Sequence, residues 1–222
     1  MKIKAIITGS TGMVGEGVLH ECLNSYSVET VLVINRKSCG VIHPKLKEII
    51  HNDFSDLSDI QDQIKEYNAC YFCAGVSSVG KSEEEYKKIT YDLTMGFADS
   101  IIKAIGDKVT NFTFCYVSGV GTDSSEKGRQ AWARIKGKTE NDLMKLPFYQ
   151  TFMYRPGYIQ PIKGLKNTYT VYKIAAPIYP LLKLLFPKYV NTLKDIANSM
   201  LKVTLNGYDK NILECEDIRN TA

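Results

Sequence analysis

Residues 3–15 read Ile3-Lys4-Ala5-Ile6-Ile7-Thr8-Gly9-Ser10-Thr11-Gly12-Met13-Val14-Gly15. A short apolar run meets a turn with glycine at every third position, and Met13 onward has the pattern of a helix ending near Leu23. Glycine lets a backbone turn tightly and approach a pyrophosphate, whose charge is met by free N–H groups and the helix dipole. A strand, such a turn and a helix at the start of an α/β sheet form the place where a dinucleotide binds. The spacing is G-x-x-G-x-x-G rather than G-x-G-x-x-G, so a purely structural turn stays open as a reading.

Working outward, apolar runs at Val31–Asn35, Leu46–His51, Ala69–Ala74, Asn111–Ser118 and Tyr149–Tyr154 predict further strands. Helices are predicted between them at Leu57–Tyr67, after the capping box Ser82/Glu85, and from about Ser125 to Leu146, where Pro147 stops the last. Ile89, Leu93, Phe97, Ile101 and Ile105 recur every fourth residue and lay one stripe on a sheet. Alternating strands and helices predict an α/β fold, a Rossmann-like doubly wound parallel sheet with right-handed crossovers. Residues 1–156 are read as its NAD(P)-binding core. Residues 157–222 are read as a small C-terminal lobe that completes a substrate pocket within one compact domain, ending in a helix capped at Thr192 and a strand at Asn211–Glu214.

Composition agrees with a folded globular chain. Of 222 residues, 44% are hydrophobic and 23% charged, which excludes a disordered, collagenous or coiled-coil protein. A net charge of +4 is too small to point to nucleic acid but suits an anionic small ligand. Six scattered cysteines, with Met1 running straight into a strand, lead to the expectation of a reducing, cytoplasmic location. Cys70 and Cys73 form a C-x-x-C pair, yet a strand would point them to opposite faces, so they read as packed thiols. Three histidines without helical metal spacing leave no metal site to propose.

The predicted second strand ends at Asn35-Arg36-Lys37, where an NAD site would offer an acid to the ribose 2′-hydroxyl. Arg36 can instead pair with a 2′-phosphate, which favours NADP (NADPH) over NAD; a solvated basic strand end is the alternative. Asp53 and Phe54 follow the third strand where a loop could touch adenine, and Cys73-Ala74-Gly75 follow the fourth where small residues could pass beneath a cofactor.

Four motifs together resemble the short-chain dehydrogenase/reductase superfamily, in its atypical NAD(P)H-binding branch, similar to the NmrA-like and Tat-interacting-protein-like oxidoreductases. They are the glycine turn, Val117-Ser118-Gly119-Val120-Gly121, Ala131-Trp132-Ala133-Arg134-Ile135-Lys136-Gly137-Lys138-Thr139-Glu140, and Tyr154-Arg155-Pro156-Gly157. The resemblance spans essentially the whole chain. It implies that Ser118 bonds a substrate carbonyl, that Lys136 holds the nicotinamide ribose, and that Pro156, Gly157, Tyr158 and Ile159 lie beside the nicotinamide. It also exposes a departure, since the family's acid–base Tyr, one turn before the Lys, is here Trp132. An indole N–H donates a hydrogen bond but does not release its proton in the accessible pH range. Tyr116, Ser125, Tyr158 or an ordered water are candidate substitutes, and Trp132 reads equally well as a packing residue.

Two functions therefore stand: an NADP-dependent oxidoreductase of a small carbonyl or alcohol, and a catalytically silent NADP(H) sensor. A sugar-nucleotide epimerase is disfavoured because a lobe of ~65 residues is small for a nucleotide sugar. The apolar stretch 172–190 is open to three readings: pocket lid, core or dimer contact, and peripheral membrane contact.

Overall fold

The computed structural model describes residues 2–167 and 179–222. Seven strands form one parallel sheet: β1 (Ile3–Thr8), β2 (Val28–Asn35), β3 (Leu46–Ile50), β4 (Ala69–Phe72), β5 (Thr113–Val117), β6 (Gln150–Arg155) and β9 (Ile212–Glu214). Their order, β3-β2-β1-β4-β5-β6-β9, reverses direction at β1, which is the switch point of the predicted doubly wound sheet. Every pairing is parallel, with Ala5 opposite both Val31 and Ala69. Parallel central strands are covered on both faces and so read as near-continuous apolar runs; β4, Ala-Cys-Tyr-Phe, is buried throughout.

Two apolar clusters fill the two sides. One holds α1 (Met13–Asn24) and α7 (Leu193–Asn206) against the sheet through Val18, Leu19, Ile196 and Met200. The other holds α4 (Leu93–Ile105) through Phe97, Ile101 and Ile105 against Phe72 and Phe114. Cys70 lies in the second cluster and Cys73 packs against the first, so the C-x-x-C pair divides between faces as its strand spacing requires. No cysteine among the described residues is disulfide-bonded.

The capping boxes at Ser82/Glu85 and Thr192/Asp195 are both formed. Between α3 (Glu83–Lys87) and α4 the backbone makes a π-helical turn, Lys88–Asp92. A spacing of four residues drifts about 40° per step around an ideal α-helix. The wider turn absorbs part of that drift, so Ile89 and Leu93 remain on one side and reach the mouth of the sheet.

Two predicted helices are shorter than expected. Leu57–Tyr67 becomes a 3₁₀ turn, Ser58–Ile60, followed by α2 (Gln61–Ile64), with Ile60 at φ −118° and ψ 8° leaving helical geometry between the two. The helix expected from Ser125 begins only at α5 (Ala131–Leu143). Asp123 accepts from the N–H groups of Ser125 and Gly128, and Glu126 adopts φ 61°, so a local turn competes successfully with helix over these residues.

Beyond Pro156 the chain does two things. A small parallel sheet forms from β7 (Tyr158–Gln160) and β8 (Val190–Thr192). Then α7 packs back on α1, β9 extends the main sheet and α8 (Cys215–Asn220) follows, so this end of the chain is built into the core. Within the stretch 172–190, residues 172–178 lie outside the described residues; α6 (Tyr179–Leu185) and a 3₁₀ turn at Pro187–Tyr189 complete it. No helix among the described residues is long and apolar enough to cross a membrane.

Candidate functional site

At the carboxyl ends of the strands a cleft of about 590 Å³ opens beside the switch point. Gly9, Thr11 and Gly12 form one wall, Asn35-Arg36-Lys37 the second, and Cys73-Ala74-Gly75 the floor. Phe54 closes the far end. Sequence reasoning missed Asn52, Val76, Ile89 and Leu93, which also line the cleft. The last two belong to the four-residue stripe assigned wholly to the sheet, and they line the cleft as well. Two cations and no carboxylate line the cleft.

The glycine turn is made by close contacts. Gly9 has φ +72°, and a Cβ there would sit 2.6 Å from the Ala74 nitrogen; a Cβ on Gly15 would meet the Gly9 carbonyl oxygen at 2.2 Å. Both positions need glycine, one to bring β1 and β4 turns together and one to seat α1 under the loop. Gly12 caps α1 without a side-chain hydrogen bond, leaving the first-turn N–H groups without a side-chain cap. The side chains of Ser10, Met13 and Val14 are taken up in fastening and packing the turn. The Ser10 hydroxyl, 1% exposed, accepts from Asn35 Nδ2 at 2.6 Å, fastening the β1 turn to the end of β2. Met13 is buried and Val14 packs beside it in the core.

Asp53 was expected near adenine, but it is exposed and outside the cleft lining. Its carboxylate accepts from the Ser55 N–H at 2.9 Å and from the Ser55 hydroxyl, and these bonds hold it below the usual carboxylate range. Asn52 faces the cleft in its place. The Cys73 thiol is pushed up to about 12 by burial, which makes it a neutral lining atom.

A second group gathers where β5, α5 and β6 meet. Lys136 Nζ donates to the Ser118 carbonyl. The Ser118 hydroxyl donates to Glu140, a fully buried carboxylate one turn beyond Lys136, with the Tyr154 carbonyl also at 3.0 Å. Arg155 clamps Glu140 through Nε and Nη2 and reaches Glu214 at 3.2 Å. Burial lowers Lys136 to about 8, and the Glu140 charge opposes that shift. Trp132 rests its ring edge on Gly121, where an added Cβ would be 3.4 Å away.

Of the substitute proton donors, Tyr116 is buried and its phenol is pushed well above the ordinary range, chiefly by desolvation. The Ser125 hydroxyl donates to Asp123 at 2.6 Å. Tyr158 donates to Gln160 at 3.1 Å and its ring lies 6.4 Å from that of Tyr179. Pro156 accepts the Val120 N–H, Gly157 donates to Cys215 Sγ at 3.0 Å, and Ile159 is buried in the core.

A profile of the NAD dependent epimerase/dehydratase family matches residues 5–141. The chain belongs to this family. Its relatives include protein FMP52-1, mitochondrial, of Scheffersomyces stipitis, 27% identical over 76% of this chain and 74% of the relative. Protein FMP52, mitochondrial, of Debaryomyces hansenii is 28% identical over 74% of this chain and 72% of its own. Among solved structures, a short chain dehydrogenase from Burkholderia cenocepacia in complex with NADP superposes with a TM-score of 0.67 at 12% identity, covering 99% of this chain and 92% of that one. Glucuronic acid dehydrogenase from Chromohalobacter salexigens gives 0.68 at 13%, covering 96% and 76%. The fold and the NAD(P)-binding family are those the motifs resembled. The cytoplasmic expectation is corrected: the curated relatives carry mitochondrial names. Cysteine usage reports a redox state and not an address, which is why that inference failed.

One further motif is a false lead. Gly75 to Ser82 reads G-x-x-x-x-G-K-S, the spacing of a phosphate-cradling loop after a strand. Here the Ser82 hydroxyl accepts the Glu85 N–H and the first helical turn carries Glu83, Glu84 and Glu85, which repel a phosphate.

Proposed function

We propose that the protein is an NADP(H)-dependent oxidoreductase of a small carbonyl or alcohol. The observation that carries this reading is the cleft at the strand ends, walled by Arg36 and Lys37 with no carboxylate in its lining. An NAD-selective site needs an acid on the ribose 2′-hydroxyl, whereas a guanidinium pairs with a 2′-phosphate. The glycine turn fits a pyrophosphate for the reasons its geometry gives: Gly9 and Gly15 leave no room for side chains, and α1 begins uncapped. When bound, the dinucleotide supplies or accepts hydride at a carbon of the substrate.

This chain's own residues then divide the work. Thr11, Gly12 and the start of α1 bind phosphate, and Ala74 and Gly75 let the cofactor pass close to the backbone. Lys136 grips ribose hydroxyls, and with a proton that leaves near pH 8 it can serve the substrate oxygen that a phenol serves in the resembling family. Trp132, resting on Gly121, shapes the wall above it.

One observation favours the silent sensor. Trp132 has no acidic proton to give and the Ser118 hydroxyl is turned inward to Glu140, so neither of the residues flanking Lys136 is poised to polarise an oxygen. NADPH oxidation over a panel of ketones, aldehydes and quinones separates the two. Turnover by the wild-type protein, lost in Lys136→Met, is expected of the oxidoreductase. Binding of NADPH without oxidation, in the wild type and in Trp132→Tyr alike, would leave the sensor.

A further inference from the structure

Residues 15–17 of α1 each meet a different part of the molecule. Gly15 seats the glycine turn, and a Cβ on Gly17 would sit 2.2 Å from Leu193 Cδ2 of α7. Between them Glu16, 5% exposed, is the acid in the first turn of α1. Its two carboxylate oxygens accept the backbone N–H groups of Lys166 at 2.8 Å and Asn167 at 2.7 Å. A buried carboxylate is costly unless it is bonded, and these two charge-assisted bonds meet that need. The donors end the segment 161–167, which follows Pro156, Gly157 and β7 and turns at Gly164, φ +93°. Ile162 and Leu165, half-buried, pack on the apolar cluster that also takes in Met13 and Val14. One strap therefore joins the residues expected beside the nicotinamide to the helix start expected to bind phosphate.

Building on the dinucleotide reading of the cleft, we infer that Glu16 is a positioning residue of the cofactor site, a latch through which the segment 161–167 and a bound dinucleotide stabilise each other on the first turn of α1. Both partners grip the same turn: the phosphates at the N–H groups that no side chain caps, the segment at the Glu16 carboxylate. Order imposed by one need not be imposed again by the other, so each binds better when the other is in place. Linkage makes the gain reciprocal. Electrostatics alone has the opposite sign. A carboxylate on the same helical turn as a phosphate repels it, so neutralising a Glu16 that acted only as a charge would tighten binding. Gln at this position keeps the size, but its amide offers one acceptor and one donor group, so an N–H of Lys166 or Asn167 then meets another donor. Glu16→Gln thus breaks the latch while removing the repulsion, and a latch and a bare charge predict opposite changes in affinity.

The test is amide hydrogen exchange and NADPH titration of the full chain, as wild type and as Glu16→Gln. Saturating NADPH is expected to slow exchange at the Lys166 and Asn167 amides of the wild type by about fivefold or more. Glu16→Gln should speed exchange at those amides and weaken NADPH by up to the same factor, chiefly through a faster off-rate. Glu16→Asp, which keeps the charge but not the reach, should weaken NADPH as well. A wild type whose two amides ignore bound NADPH overturns the latch and leaves the cleft reading intact. So does NADPH affinity in Glu16→Gln that is unchanged, which reduces Glu16 to a structural tie, or raised, which reduces it to a charge. A wild type that binds no dinucleotide overturns the cleft reading and the latch with it.

Discussion

The two ends of the site are built on opposite plans. Around Arg36 the groups face outward: a cleft of about 590 Å³, cations on its wall, no carboxylate, and a helix start without a side-chain cap. Around Ser118 they face inward: the hydroxyl and the arginine spend bonds on a carboxylate with no exposure at all, and the lysine donates to the Ser118 backbone carbonyl. The first arrangement is preorganised for an anion that arrives from solvent. The second is preorganised for rigidity, and Lys136 is the residue in it proposed to serve the substrate oxygen. Changes at the two ends should fail in different ways, with Lys136, proposed for both the ribose and the substrate oxygen, the point where binding and turnover meet.

The largest effect is expected at the inward end. Glu140→Ala removes the partner of the buried Arg155 guanidinium and the acceptor of the Ser118 hydroxyl, and should destabilise the fold by about 3–5 kcal/mol, read as a fall in unfolding free energy in urea. A loss within the range of an ordinary surface change would show that the network is not structural and would erase the contrast.

A smaller effect is expected in the pH dependence of binding. Lys136 titrates near 8 in the folded protein, below its ordinary value, so its proton leaves the folded state first as pH rises. Cofactor affinity that relies on its charge should be full below pH 8 and fall by at most about tenfold per pH unit above it. Stability runs the other way, rising between about 8 and the ordinary lysine value, because the unfolded chain then holds more protons. In Lys136→Met the decline in affinity should vanish; persistence of the same decline would place the titrating group elsewhere.

The smallest effect is expected at Asp53. Its carboxylate is satisfied by Ser55 and turned from the cleft, so Asp53→Asn should leave NADPH affinity unchanged and stability within about 0.5 kcal/mol. A clear loss of affinity would return this residue to the adenine wall and enlarge the outward half.

Much of that outward half was legible because it depends on local rules. Glycines at 9, 12 and 15 after an apolar run fix the turn, and strand ends in a parallel sheet fall on one edge, so Arg36 and Cys73-Ala74-Gly75 arrive together without further knowledge of packing. Asp53 failed by one residue, because side-chain direction in a loop depends on an Asx-type bond to Ser55 that alternation does not encode. Helix α5 failed at its start for the same reason, through Asp123. The inward half was legible only by resemblance. Ser118, Glu140 and Arg155 stand on three separate elements, and nothing in their spacing announces that Glu140 joins them.

Titration calorimetry of the wild-type protein with NADPH and with NADH tests the central claim, that the acid-free cleft beside Arg36 receives a phosphorylated dinucleotide. NADPH should bind tighter by roughly tenfold or more, about the 1.4 kcal/mol of one charge-assisted contact, and Arg36→Ala should erase most of the difference. Equal affinities for the two cofactors, or a preference that survives Arg36→Ala, would contradict the account.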